Sequence, residues 1–334
     1  MTIKVGIVGT GYAARSRVEA LADDRRSHPL LVAGHRHAEE FAERYGLQAV
    51  ESWQQLVVDP RIDLVAVANV SSQHGEVVEA ALQAEKQVVV EYPLSLDVKQ
   101  AERLVRLATD KGLLLHVEHI ELLGGLHKTM REYLPYVGVP TYINYRTLNP
   151  QHPAPLKWTY RQDLFGFPFC GALSRVHRLT NLFGQVEQVD CHTQTVSHEP
   201  PCDYFKGILS SARLQFRSGL IAELTYGKGE NLWVRRREIE VQGDAGALVV
   251  VGNEGTATNA EGATAITVAP RKGLFIQDTR MVLDYLTDCA PLYVNAAESV
   301  YALRVADALR QASQRGKTVA LPPEDSATYD SAKY

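Results

Sequence analysis

Two glycines and an alanine in Gly9-Thr10-Gly11-Tyr12-Ala13-Ala14 stand at the spacing with which a chain can receive a pyrophosphate. In this G-x-G-x-x-A pattern Gly9 allows a tight turn, Gly11 lets a phosphate approach the backbone, and Ala14 lets a helix pack close to a strand. A helix beginning there supplies amide donors and the positive end of its dipole. Thr10, Tyr12 and Ala13 lie in the same turn and count with Gly9 and Gly11 as dinucleotide contacts. The same small residues would also serve a strand-to-helix turn that binds nothing, so the flanking elements decide.

Further along, side chains of other chemistry fall at strand ends. A site that prefers NAD usually places an acid roughly 20 residues beyond the glycines, on the ribose 2'-hydroxyl. Here the stretch reads Gly34-His35-Arg36-His37, without an acid. Arg36, with His37 beside it, is suited to a 2'-phosphate through charge-assisted hydrogen bonds, which favours NADPH over NADH. A solvated loop arginine is the plainer alternative. Asn69, Ser71 and His74 follow another apolar run and are cofactor-contact candidates, although Ser71 also suits a helix cap. His116, Glu118, His119 and Glu121 resemble a metal cluster at first sight, but on a strand His116 and His119 would point to opposite faces. No metal is assigned.

The elements that must carry these residues are legible as an alternation. Val5, Ile7 and Val8 form a buried parallel strand, and an amphipathic helix follows to Leu21. Strands are expected at Leu30 to Ala33, Ile62 to Ala68, Gln87 to Val90 and Leu113 to Val117. Helices are expected at Glu39 to Tyr45, after His74 to about Lys86, and from Asp97 to Lys111. Such strand and helix alternation to about residue 120 specifies a doubly wound parallel sheet of Rossmann type, with loops at the strand ends facing the ligand. In that context the glycine turn reads as a cofactor site.

From Pro140 the pattern changes to strands without helices between them: Thr141 to Leu148, Leu214 to Phe216, Leu220 to Tyr226, Trp233 to Val241, Ala247 to Val251 and Ala265 to Val268. This specifies an open antiparallel sheet domain. Helices are expected near Cys170 to Phe183, at Asp278 to Leu286 and at Ala297 to Arg315, the last returning toward the first domain. The expected division is therefore a dinucleotide domain over residues 1–122, an α+β substrate domain over 123–321 and a flexible tail over 322–334. On the Trp233 to Val241 strand, Arg235 and Arg237 would share a face with Trp233, Ile239 and Val241. A solvated face is the simpler reading, and a subunit or an acidic ligand is the other.

Bulk composition excludes several classes. With 334 residues, 45% of them hydrophobic, and a net charge of −4, the chain is an ordinary globular sequence with no basic excess for nucleic acid. No apolar run reaches the roughly 20 residues of a membrane span, and the first strand begins without a signal-like leader, so a cytoplasmic protein is expected. Cys170, Cys191, Cys202 and Cys289 are too scattered for a disulfide framework or a C-x-x-C site, and reduced, mostly buried thiols are expected.

The first strand with its GTGYAA turn, the Asn69 to His74 loop and the Glu91-Tyr92-Pro93 tripeptide together resemble the glucose-fructose oxidoreductase and inositol dehydrogenase family, Gfo/Idh/MocA. That resemblance implies a Rossmann domain followed by an open antiparallel sheet, and hydride transfer between a nicotinamide and a substrate. Two departures matter. The family's Glu-Lys-Pro lysine is Tyr92 here, and its aspartate and histidine one helical turn apart have no counterpart in Cys170 to Arg178. A sugar-alcohol oxidase lacking both proton-handling groups is chemically implausible.

A narrower group of that family shares these departures. VVVEYPLSL at 88–96, LLHVEHIELLGG at 114–125, FGFPFCGALSRVHRLTNLFG at 165–184, YGKGE at 226–230 and RKGLFIQDT at 271–279 resemble the biliverdin reductases, most of all the cyanobacterial type. The resemblance implies NADPH-dependent reduction of biliverdin to bilirubin, with hydride going to the C10 methine carbon and a proton to a pyrrole nitrogen. Carried over residue by residue, it makes Arg175 the catalytic group, Arg178 a propionate or orienting partner against the ordinary reading of a surface salt bridge, and Tyr92 either a hydrogen-bond donor beside the nicotinamide or a ring that only packs the cofactor. Glu91 would orient backbone or the nicotinamide and would not do acid-base work. His119 and Glu121 would line the substrate site, and Trp158, Tyr160, Phe165, Phe167 and Phe169 would offer flat surface to a tetrapyrrole, core packing being the alternative for each ring. Two other readings compete: an NADP-dependent oxidoreductase of another small carbonyl or cyclic compound, and a dinucleotide-sensing regulator without turnover.

Overall fold

A computed structural model describes residues 2–199 and 202–324. By compactness the chain divides into one unit of Met1–Leu123 with Gly273–Val300 and a second of Gly124–Lys272 with Tyr301–Tyr334. The segment Gly273–Val300 therefore packs with the first unit and not with the substrate domain expected over 123–321.

The first unit is built on strands β1 (Ile3–Val8), β2 (Ser27–Ala33), β3 (Gln48–Val50), β4 (Leu64–Val67), β5 (Gln87–Glu91) and β6 (Leu115–Glu118). They form one sheet in the order β3-β2-β1-β4-β5-β6, all pairs parallel. This is the doubly wound order whose reversal beside β1 opens a crevice at the strand ends. Helices α1 (Tyr12–Ala22), α2 (Ala38–Tyr45), α3 (Trp53–Val58), α4 (His74–Gln83) and α5 (Val98–Lys111) cross between strands. Helix α5 starts where Asp97 accepts from the amides of Lys99 at 2.7 Å and Gln100 at 3.2 Å, satisfying two of its first donors. Val5, Ile7, Val18, Leu21, Leu64 and Ala66 form the core with Val282 and Leu283 from the late helix Leu274–Asp288. Each fully buried Val, Leu or Ile side chain of this set contributes about 1.5–3 kcal/mol.

The second unit begins with α6 (Gly125–Val137) and β7 (Pro140–Pro150), followed by the short helices α7 (Gln162–Phe165) and α8 (Pro168–Gly171) and by α9 (Ser174–Phe183). Strands β8 (Val186–Ser197), β9 (Phe205–Phe216), β10 (Ile221–Gly229), β11 (Arg236–Gly243), β12 (Gly246–Val251), β13 (Glu254–Asn259) and β14 (Gly262–Thr267) follow. After helices α10 (Leu274–Asp288) and α11 (Ala296–Arg315), β15 (Val319–Ala320) completes a nine-stranded sheet in the order β14-β13-β12-β11-β7-β10-β9-β8-β15. The expected antiparallel sheet is thus mixed, because β7 and β10 pair in parallel while the others run antiparallel.

Several local expectations change. The helix expected over Cys170 to Phe183 is broken into α8 and α9, and the strand expected from Trp233 begins only at Arg236. Trp233 and Arg235 are therefore off the strand; Trp233 is 81% exposed, with its ring 4.3 Å from that of His152. Ile239 and Val241 are buried, so the face that Arg237 shares with them packs inward and is not a solvated one. Two cysteines, Cys170 and Cys191, are buried, and Cys202 and Cys289 are exposed; all four are free. Of the expected tail, residues 325–334 lie outside the described residues, while Glu324 pairs with Arg304, and its backbone amide and carbonyl each bond the Gln185 side-chain amide at 3.0 Å. Among the described residues no helix is long and apolar enough to cross a membrane.

Candidate active site

In the first unit the glycine turn has the form its spacing demands. Gly9 sits at φ +119°, where a Cβ would come within 2.4 Å of the Ala68 carbonyl oxygen. Gly11 is the N-cap of α1, which receives no side-chain cap, and a Cβ there would meet nothing within 4 Å. The α1 amides thus face open space beside an uncapped helix end, as a pyrophosphate requires. Ala14 is wholly buried against the sheet, and Tyr12, 71% exposed, meets Phe275 edge-on at 6.0 Å. Thr10 packs its methyl group toward Gly34. Beyond β2, Arg36 and His37 are exposed, with the His37 ring 3.2 Å from the Glu40 carboxylate.

Ser71 and His74 are buried, unlike the half-exposed Asn69 whose amide donates to Gln73 at 3.1 Å. The His74 ring lies 2.8 Å from the Pro93 carbonyl and 3.2 Å from that of Asn69, and burial lowers its pKa. His74 therefore ties two strand-end loops together.

Behind Glu91 and Tyr92 lies a buried polar network. Arg17, 2% exposed, pairs with Asp278 and, at 3.1 Å, with Glu91, and donates to Thr279 at 3.1 Å. Asp278 also accepts from Tyr293 Oη at 2.7 Å and contacts His116 Nε2 at 2.7 Å. Burial works to raise the Asp278 pKa, yet the charges of Arg17 and His116 hold it well below the usual carboxylate range. Burial and the neighbouring acids Glu91 and Asp278 push Glu118 well above that range. His119 is fully buried with Nε2 2.8 Å from Ser299 Oγ, and its ring lies parallel to Tyr92, centroids 5.2 Å apart. The expected lining residue His119 is thus a backing for Tyr92. Glu121, in the 3-10 turn Ile120–Leu122, is half-buried. Among the described residues no group of His, Cys, Asp and Glu is placed to hold a metal ion.

In the second unit α9 carries both expected arginines, but they meet different partners. Arg175 is half-buried, donates to Ser174 Oγ at 3.0 Å, and has its guanidinium 5.2 Å from the Tyr226 ring. Arg178 is 2% exposed and donates to Tyr145 Oη. Around it, burial and the Arg178 charge push His177 down to about 3, and His127 is lowered to about 3 by the same causes with added repulsion from His177 and Arg131. Arg178 accordingly belongs to an interior cluster, not to the surface that Arg175 reaches. Trp158 is 36% exposed with its ring 6.2 Å from Phe165, whereas Phe165 and Phe167 are 7% and 8% exposed and Phe169 is sealed in the core. Lys228, which falls in the YGKGE stretch but carries no expected role there, lies beside this group.

Residues 3–119 match the oxidoreductase family with an NAD-binding Rossmann fold, and residues 137–321 match the C-terminal alpha/beta domain of the same family. The chain belongs to the Gfo/Idh/MocA oxidoreductase family. By that membership it is an NAD(P)H-dependent oxidoreductase, and its relatives sharpen the comparison. It is similar to the biliverdin reductase of Synechocystis sp. PCC 6803, solved in complex with biliverdin and NADP+, at 48% identity and a TM-score of 0.91, covering 93% of this chain and 99% of that one. Mouse biliverdin reductase A is 27% identical over 76% of this chain and 81% of its own length. The NADP+-dependent scyllo-inositol 2-dehydrogenase of Bacillus subtilis is 23% identical over 96% of both chains.

Proposed function

We propose that this chain reduces biliverdin to bilirubin with NADPH. The observation that carries the reading is the 48% identity, over nearly the full length of both chains, to a reductase whose structure holds biliverdin and NADP+. The chemistry of the residues is consistent with it. NADPH, when bound, supplies a hydride that adds to the C10 methine carbon while a neighbouring pyrrole nitrogen gains a proton, leaving NADP+ and bilirubin.

Each of the chain's own residues then has a task. The open backbone at Gly11 and the α1 amides hold the pyrophosphate, with Gly9, Thr10, Tyr12 and Ala13 shaping the turn. Arg36 takes the 2'-phosphate with His37 at its side. Asn69, Ser71 and His74 support the adjoining loop, and Glu91, fixed by Arg17, orients the nicotinamide. Tyr92 offers a phenolic donor whose ring is set by His119. Arg175 is the catalytic cation. A guanidinium with a pKa above about 12 is a poor outright acid, so Arg175 stabilises charge on the tetrapyrrole and holds the propionate or water that passes the proton. Trp158 and Phe167 give the pigment flat apolar surface, and Glu121 borders the site. Arg178 acts from within, fixing Tyr145 and α9 so that Arg175 keeps its place.

Purified protein mixed with NADPH and biliverdin tests the reading. Enzyme-dependent loss of the green pigment with appearance of bilirubin supports it, and tight NADPH binding with no pigment turnover contradicts it.

A further inference from the structure

Strand β10 places Tyr226 and Lys228 two residues apart, hence on one face. Lys228 is 6% exposed, an unusual position for a lysine. Its Nζ donates to the carbonyl of Thr159 and lies 3.6 Å from the ring centroid of Phe165, 4.7 Å from Tyr160 and 5.3 Å from Phe205. The ammonium therefore meets three rings and one carbonyl. Among the described residues it has no carboxylate partner. Cation–π attraction and a single hydrogen bond are what offset its desolvation.

These contacts join three separate segments to β10: the 3-10 turn Trp158–Tyr160, helix α7 with Phe165, and the start of β9 with Phe205. Trp158 packs on Phe165 in the same group, and Arg175 rests on Tyr226, the neighbour of Lys228 along the strand face. One strand thus fixes both the aromatic segment and the ring under the guanidinium.

We propose that Lys228 is a positioning residue of the reduction, pinning the Trp158–Phe165 segment in the shape that receives the tetrapyrrole. The inference rests on the biliverdin reading. It predicts that bilin binding depends on the Lys228 charge while NADPH binding does not. The groups facing the ammonium are Arg175 from α9, Tyr160 and the Thr159 carbonyl from the turn, Phe165 from α7, Phe205 from β9 and Tyr226 from its own strand. Glu230, two residues on, accepts from the Ala154 amide and acts on Tyr160. Burial first, and the Arg175 charge second, lower the Lys228 pKa to about 7.

The test compares wild type, Lys228→Met and Lys228→Arg in steady-state biliverdin reduction between about pH 6 and about pH 8, with urea midpoints confirming that each variant is folded. The expected result is a biliverdin KM about tenfold higher in Lys228→Met at the acid end, kcat changed by less than about threefold, and NADPH KM unchanged. Wild-type KM rises with pH, KM of the methionine variant does not, and the arginine variant restores a low KM that no longer varies. A folded Lys228→Met enzyme with wild-type biliverdin KM, or a loss shared equally by the NADPH KM, overturns the inference while leaving the reductase reading intact. A wild type that forms no bilirubin overturns both.

Discussion

The rings of Tyr92 and His119 lie 5.2 Å apart and 6° from parallel, and Ser299 holds the far side of the imidazole. Tyr92 stands where many members of this family carry a lysine, and under the proposed function its phenol donates to substrate and needs one rotamer, which the stack with His119 would fix. Aromatic pairs of this kind contribute about 0.5–1.5 kcal/mol, so His119→Ala is expected to lower kcat about two- to tenfold with NADPH affinity unchanged. His119→Phe keeps a flat partner and should recover most of the loss. Equal kcat in the two variants would mean that the stack does not position Tyr92.

Arg175 provides the sharper catalytic test. Arg175→Ala removes a half-buried cation from the Tyr226 ring without emptying the core, so the fold and NADPH binding should persist while kcat falls at least about a hundredfold. Arg175→Lys keeps a charge but loses the planar fork and should recover only part of the rate. Near-wild-type turnover of the alanine variant would remove Arg175 from the mechanism.

The two glycines of the turn should fail in different ways. At Gly9 the backbone has φ +119° and a Cβ would collide with Ala68, so Gly9→Ala is expected to lower the urea midpoint as well as cofactor affinity. At Gly11 the space is open, and Gly11→Ala should fold normally yet weaken NADPH by about tenfold or more, because the methyl group occupies the phosphate's approach. Tryptophan or NADPH fluorescence titration reads the difference. Unaltered NADPH affinity in Gly11→Ala would place the cofactor elsewhere.

Acid should destabilise the second unit early. His177 and His127 are both lowered to about 3 in the folded chain, against about 6.5 when unfolded, so the folded state binds fewer protons between these values. Their contribution to stability is complete above about pH 6.5 and is lost as pH falls toward about 3. The urea midpoint is expected to drop between about pH 7 and about pH 5, and His177→Asn should flatten that drop. An unchanged slope in the variant would show that His177 is not the linked group.

Much of the first unit is legible in short stretches, because a buried strand, a glycine turn and an amphipathic helix each announce themselves within a few residues. Asp97 before α5 and the GTGYAA turn are of this kind. Strand β3 and helix α3 are too short to set up a period, and α6 is hidden by its opening glycines and by Pro135 near its end. Strand β8 reads as polar because its outward residues face solvent and only Val186, Val189 and Cys191 are buried.

The site divides in the same way. Gly9, Gly11, Tyr92 and Arg175 carry local signals or a family likeness. Arg17 with Asp278, and Lys228 with Phe165, are joined across long sequence separations by tertiary packing, and no periodicity reports them. Arg178 was expected beside Arg175 because helix spacing puts the two close; the spacing holds, yet Tyr145 draws Arg178 inward.

Under the proposed function, hydride passes directly from the nicotinamide to the pigment's C10. The measurement is turnover of biliverdin with NADPH deuterated at the transferable position of its nicotinamide ring, followed by location of the label in the product. Bilirubin carrying deuterium at its C10 methylene group is the predicted result. Bilirubin without the label there, or a reduced pigment labelled at another carbon, would contradict it.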